Sequence, residues 1–360
     1  MSVITVVVLI FSILGALDFL FGNKFGVGKE FERAFLIFAP MALSMLGMIV
    51  IAPAFGVWLS PVFEGFYRLF HIDPSIIPAS IFANDMGGMT LAQSVAKSEG
   101  MGAYNAFVVS SMMGCVISFT IPFSIGLVKK HQHKELFFGI LCGIITIPFG
   151  SFVAGLMCGL SPVAVLLNLL PLVVLSLIIG AALLFAPAVC IKCFSVFGMF
   201  MKTLGLLGLV FAVFTFLTKV QISPYFDSLE SAAFVCVNAC VTLSGMLPLM
   251  YIVSALLRKP LGAFSAKMGI NNISALMLLG TLVSNAPTFG VMGKMDKKGV
   301  VLNSALAVSA SFVFGSHLAF TMAFDGAYVT PMIVGKLISG VCAVALAFFL
   351  YKGGEKAQTV

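Results

Sequence analysis

Charge is what this sequence has least of. Aspartate, glutamate, lysine and arginine make up 9% of its 360 residues, 61% are hydrophobic, and the mean hydropathy is +1.15. Soluble domains carry about 25% charged residues, so the composition excludes a soluble globular chain and leaves an all-α, polytopic membrane protein. Tryptophan occurs once and tyrosine six times, so the aromatic content is mostly phenylalanine that packs or faces lipid. Four histidines and thirteen acidic residues show no metal-ligand spacing, and neither a metal nor a cofactor is expected. Of the eight cysteines, only Cys190 and Cys193 form a C-x-x-C pair. With no second pair and no βαβ setting, they read as packing residues. The net charge of +7 belongs to loops and gives no case for nucleic acid.

The first apolar run also lacks a basic leading segment and an A-x-A-type cleavage site, and it carries Asp18. It reads as a retained helix, with Asp18 partly solvated beside Lys24 at its end. Crossing a hydrocarbon core of roughly 30 Å takes about 20 helical residues. Runs of that length fall near 3–22, 36–57, 103–128, 136–158, 162–187, 202–219, 231–257, 300–322 and 328–350, which makes about nine expected spans. Two further apolar segments, 75–97 and 272–295, are broken by polar and turn-forming residues.

The basic residues decide between re-entry and crossing for these two segments. If both return to the side they entered, the inner side holds Lys24, Lys29, Arg33, Lys129, Lys130, Lys134, Lys192, Lys202, Arg258, Lys259, Lys267, Lys294, Lys297, Lys298, Lys352 and Lys356, and the outer side only Arg68, Lys97 and Lys219. Full crossing would erase this bias, which normally orients membrane proteins. The expectation is two re-entrant hairpins, with the N-terminus outside and the C-terminus cytoplasmic.

A shift of 198 residues lays span, broken segment and span (about 34–128) over a second such unit (about 232–322). The shared residues are few: Glu32/Glu230, Ala34/Ala232, Gly47/Gly245, Met48/Met246, Leu59/Leu257, Ile72/Ile270, Thr90/Thr288, Asn105/Asn303, Ser111/Ser309 and Ser118/Ser316. Five spans separate the two starting points, and an odd number inverts the second unit. Inverted repeats with interrupted segments meeting at the midplane are a common design of secondary transporters. One transmembrane transporter domain over 1–360 is expected.

The chemistry concentrates at the breaks. ASIFANDMGGMTLAQS (79–94) places Asn84, Asp85, Gly87, Gly88 and Thr90 inside an apolar run, and the second break carries Asn285, Pro287 and Thr288. Insertion scales charge roughly 2.5–3.5 kcal/mol for a carboxylate at mid-membrane, which makes Asp85 a functional candidate by default. These eight residues form the candidate substrate site, in which a cation pairs with Asp85 while amides and hydroxyls bind its polar end. Asp85 and Asn84 have an alternative use as caps of the second half-helix, and one aspartate can do both. Lys336, inside the last span, needs a carboxylate such as Asp325 or Asp85, either as a fixed pair or for coupling. His317, near the outer end of its span, reads as a structural histidine with a coupling role in a proton relay as the alternative, although no carboxylate chain marks such a relay. Tyr104 and Tyr251 are candidates for lining a cation cavity.

GNKFGVGKEFERAF (22–35), APMALSMLGMIVIAP (39–53), IDPS (72–75) and ANDMGGMTLAQ (83–93) together resemble the EutH-type ethanolamine permeases of bacterial ethanolamine-utilisation systems, nearly end to end. The resemblance implies an inner-membrane importer of ethanolamine, surrounded by lipid; a homo-oligomer is allowed but not required. Ethanolamine suits the site, because an amine with a pKa near the lysine reference of about 10.4 is a cation at neutral pH. Two alternatives come from other classes. A membrane-embedded lipid-modifying transferase could use Asn84 and Asp85 on Mg²⁺, but it lacks the second carboxylate such a site needs. A pore or a non-transporting amine sensor differs only in kinetics.

Overall fold

The computed structural model describes residues 3–351 without the side chains of Ser44 and Arg258, so Lys352 and Lys356 lie outside the described residues. Every regular element among the described residues is a helix. In chain order these are α1 (Val3–Leu20), α2 (Val27–Leu36), α3 (Phe38–Trp58), α4 (Ser60–Phe70), α5 (Ile76–Ile81), α6 (Gly88–Val95), α7 (Glu99–Leu127) and α8 (His133–Met157). The second half holds α9 (Pro162–Phe185), α10 (Pro187–Thr218), α11 (Leu229–Met268), α12 (Asn272–Val283), α13 (Asn285–Gly290), α14 (Lys297–Ser309), α15 (Ser316–Phe324) and α16 (Val329–Leu350). Among the described residues seven helices are long and apolar enough to cross a membrane, or up to nine if each of two bent pairs counts as one span.

The two broken segments fold back on themselves. Asp73 precedes α5, and its carboxylate accepts from the backbone N–H of Lys97 (3.0 Å) and Ser98 (2.9 Å) just beyond α6. It also accepts from the N–H (3.0 Å) and hydroxyl (2.6 Å) of Ser75. The segment therefore ends where it began. The second closes in the same way with the aspartate on the other strand of the hairpin: Asp296, just ahead of α14, accepts from the N–H of Asn271 (2.8 Å) and the hydroxyl of Ser274 (2.9 Å). Asn271 Nδ2 in turn donates to the Lys294 carbonyl (2.9 Å). At the first base, Lys97 pairs with Glu64 of α4, and that hydrogen bond holds the Glu64 carboxyl below its ordinary range, with the Arg68 charge acting the same way.

α7 separates the two bases. It starts beside Asp73, and past its far end Gln132 Nε2 donates to the Met292 carbonyl at the base of the second hairpin (3.0 Å). A helix of 29 residues spans about 40 Å at 1.5 Å per residue, so the two bases lie that far apart, at the two ends of α7. Over Asn105–Gly114 and Val116–Thr120 α7 widens into π-helical turns, and the first of these stretches is buried throughout. Its polar side chains, Asn105, Ser110, Ser111, Ser118 and Thr120, all face protein, as a chain in lipid requires. The outward faces of α1, α9 and α10 are instead lined with exposed leucine, valine, isoleucine and phenylalanine.

Three local readings change. The run 300–322 is not one helix: α14 stops at Ser309 and α15 begins at Ser316. Between them Phe312 adopts a left-handed backbone (φ 61°), and the N–H groups of Phe312 and Phe314 donate to the carbonyls of Thr281 and Leu282 at the end of α12. Backbone freed from the helix is thus satisfied by the second hairpin, and Gly315 fits because a Cβ there would stand 2.1 Å from the Val283 carbonyl oxygen. The second break falls at Ser284 alone, whose hydroxyl accepts from the N–H of Ala286 (3.3 Å). Pro287 is then in the first turn of α13, where a missing N–H costs nothing. Asp18 is buried rather than partly solvated, because its carboxylate accepts from the N–H of Phe25 (3.0 Å) and Gly28 (2.8 Å) and ties the start of α2 to α1.

Candidate substrate site

Both hairpin tips reach the same turn of α7. In the first, the N–H of Ala83 donates to Ser118 Oγ (3.0 Å); in the second, Asn285 Nδ2 donates to Thr120 Oγ1 (3.2 Å). The first tip turns through Asn84–Met86 and leaves by Gly87, whose left-handed φ of 82° suits glycine. A Cβ on Gly88 would stand 2.1 Å from the Phe82 carbonyl oxygen, so both glycines shape the tip with their backbones.

Asp85 is 7% exposed. α6 is preceded by Gly87 and takes no side-chain cap, so the capping use of Asp85 is absent. The carboxylate accepts instead from Ser316 Oγ of α15 (2.8 Å) and lies 3.9 Å from His317 Nε2. His317 Nδ1 is 3.1 Å from Lys336 Nζ, which also donates to the Ser111 carbonyl in the widened part of α7. Lys336 is completely buried and His317 nearly so. The site therefore holds a chain of three titratable side chains, Asp85, His317 and Lys336, from three elements.

Two polar atoms at the tips have no partner among the described residues. Asn84 Nδ2 is a buried donor without an acceptor, and Asn285 Oδ1 a buried acceptor without a donor, although the other atom of each amide is bonded. Leaving a buried polar group unpaired costs about 1–3 kcal/mol. Thr321 Oγ1, one turn along α15 from His317, is a third such atom.

The other expected residues fare differently. Thr288 is buried, but its hydroxyl is engaged with Thr281 Oγ1 (2.7 Å), which ties α13 to α12. Pro287 is exposed, and Thr90 is half-buried in the first turn of α6. Asp325 is exposed and accepts from the N–H of Ala327 (2.9 Å), so it caps the turn before α16 and does not pair with Lys336. His317 is central rather than near an outer end, because the break before Ser316 carries it to the tips. Tyr104 donates to the Ser151 carbonyl of α8 (2.8 Å), and Tyr251 is partly exposed against Gly26. Ser118, Thr120 and Ser316 escaped the sequence reading, although Ser118 and Ser316 are one of the few pairs shared at a shift of 198. Among the described residues no group of three metal-binding side chains occurs.

The sequence model of the ethanolamine utilisation protein family EutH matches residues 1–350. The chain belongs to the EutH family. A protein named probable ethanolamine permease EutH, from Listeria monocytogenes, is 37% identical over 349 residues, covering 97% of this chain and 94% of its own length. One of the same name from Escherichia coli K12 is 33% identical over 359 residues, covering 93% of this chain and 88% of its own. YxeR of Bacillus subtilis, named only as uncharacterized, is 32% identical over 340 residues. No solved structure matches the chain. A permease family is not an enzyme family, so EutH membership sets the transferase alternative aside.

Proposed function

We propose that this EutH-family chain imports protonated ethanolamine across the bacterial cytoplasmic membrane by alternating access, holding it between the two hairpin tips. The observation that carries the reading is the pairing of a buried carboxylate with two unpartnered amide atoms. Asp85 would take the ammonium, Asn84 Nδ2 would donate to the hydroxyl oxygen, and Asn285 Oδ1 would accept from either end of the ligand. Thr288 is tied up within its hairpin and is not needed as a contact. The names of the relatives, which say probable ethanolamine permease, agree with a ligand that is cationic at one end and hydrogen-bonding at the other.

Rocking of two inverted halves around this site gains support from the shift of 198 residues. At that shift Asp73 falls on Asn271 and Ser98 on Asp296, so each hairpin base is closed by one aspartate at alternate members of the same two positions. Gly47 lies so close to Gly205 of α10 that a Cβ would stand 1.8 Å from its carbonyl oxygen, and Gly245 meets the Val8 carbonyl of α1 in the same way at 2.1 Å. Val8 plus 198 is 206, next to Gly205, so the likeness reaches α1 and α10. The basic residues orient this arrangement with the N-terminus outside, and in that frame the first hairpin re-enters from outside and the second from inside.

Uptake of labelled ethanolamine into proteoliposomes tests the reading at pH about 5.5 and 8, both below the amine reference pKa. Saturable uptake with counterflow is expected, and Asp85→Asn should lower uptake at the acidic pH at least tenfold. Undiminished uptake by that variant would remove Asp85 from the site.

A further inference from the structure

The structure has a buried cation where the proposed substrate, itself a cation, has to bind. The Lys336 ammonium is fully buried, its two hydrogen-bond acceptors, the Ser111 carbonyl and His317 Nδ1, are both neutral, and the nearest carboxylate is Asp85 beyond the imidazole. Because Nδ1 accepts from the ammonium, the ring proton of His317 belongs on Nε2, facing Asp85. The chain runs donor to acceptor from Lys336 through His317 to Asp85, with 3.9 Å at its last step. A hydrogen bond needs about 3 Å, so the ring and the carboxylate have to close this last step before the proton crosses it. The other titratable groups whose charge would be felt there are Cys115 of α7, by both Lys336 and Asp85, and Cys236 of α11, by Asp85. Neither thiol supplies charge in its ordinary state.

One carboxylate cannot serve two buried cations without leaving one uncompensated, at a cost of several kcal/mol. From this geometry we infer that Lys336 gives up its proton when the substrate ammonium arrives, so that transport is a one-for-one exchange of ethanolammonium for a proton. The inference rests on the transport reading above. In the empty site, facing outside, the Nζ–H bond breaks and its electron pair stays on Nζ, while His317 Nδ1 takes the proton on its lone pair. The ring's Nε2–H bond breaks, leaving the other tautomer, and an Asp85 oxygen takes that proton. Water then removes it, and the ammonium pairs with the freed carboxylate. On the inner side the substrate leaves and a proton returns along the same chain. The site is neutral in both states: Asp85⁻ with Lys336⁺ when empty, Asp85⁻ with the substrate cation and uncharged Lys336 when loaded. Lysine suits this role because it loses its proton when buried, and arginine does not.

The test is the charge moved per ethanolamine, read as the current on a supported membrane of wild-type proteoliposomes divided by labelled uptake, with protein-free vesicles subtracted. The wild type should move no net charge, and an inside-negative potential should leave its initial rate within twofold. Lys336→Gln should move one charge per ethanolamine and accumulate substrate toward the limit for a lone cation, about 50-fold at about 100 mV. Lys336→Arg, with a permanent charge, should lose uptake. One charge per ethanolamine in the wild type would overturn the exchange and leave the transport reading intact, whereas absence of saturable wild-type uptake would overturn both. Should Lys336→Gln fail to fold, the wild-type ratio decides alone.

Discussion

Asparagine 285 and threonine 288 stand one turn apart on α13, and both look like ligands in the sequence. Their hydrogen bonds separate them. Thr288 spends its hydroxyl on Thr281, so Thr288→Val should lower thermal stability in detergent and leave the KM for ethanolamine within about twofold. Asn285 has an unsatisfied carbonyl oxygen at the tip, and Asn285→Ala should raise KM about two- to thirteenfold, the worth of one hydrogen bond of about 0.5–1.5 kcal/mol. Uptake kinetics on the two purified variants check the contrast, and a larger KM change in the threonine variant would reverse the assignment. Asp85 and Asn285 were legible because polar residues in apolar runs are expensive. The Asp85–His317–Lys336 chain was not, since its members lie far apart in sequence and only the break before Ser316 brings them together. Lys336 looked in need of a carboxylate, but nothing in the sequence favoured Asp85 over Asp325.

At the scale of elements, the hairpins owe their closure to two carboxylates at their bases. Each accepts several backbone or hydroxyl hydrogens, and bonds to a charged acceptor are worth about 1.5–3 kcal/mol apiece. Asp73→Asn and Asp296→Asn each keep one acceptor oxygen and replace the other with a donor, which repels the N–H it formerly met. Both variants should unfold at lower temperature in detergent, by similar amounts, while Glu64→Gln at the exposed pair with Lys97 should change little. A thermal shift confined to one aspartate would mean that the two bases are not equivalent. The hairpins could be read from polar interruptions and from Pro287. The break within 300–322 could not, because ALAVSASFVFGSHLAF has no proline or charge to announce it. The segment unwinds because the carbonyls of Thr281 and Leu282 are waiting for its N–H groups, and such a partner is visible only in three dimensions.

For the whole molecule, the question is which end of α7 faces which side of the membrane. The hairpin bases lie at its two ends, so one membrane-impermeant thiol reagent should reach them from opposite sides. Arg68 and Lys97 are exposed near the first base, and Lys294 and Lys297 are exposed at the second. Cys193, which is exposed, and Cys158 and Cys342, which are partly exposed, have to be replaced first so that the label reports the introduced thiol. In intact cells, Arg68→Cys and Lys97→Cys should then label, whereas Lys294→Cys and Lys297→Cys should label only after permeabilisation. Labelling of all four from outside would contradict hairpins that enter from opposite ends. Labelling of the second pair alone would keep the fold and invert it in the membrane. Inversion would put the basic residues at 24–33, 129–134 and 258–267 outside, against the bias that orients membrane proteins. The fold and the charge distribution therefore make one joint prediction, in which the Asp73 base opens to the medium and the Asp296 base to the cytoplasm.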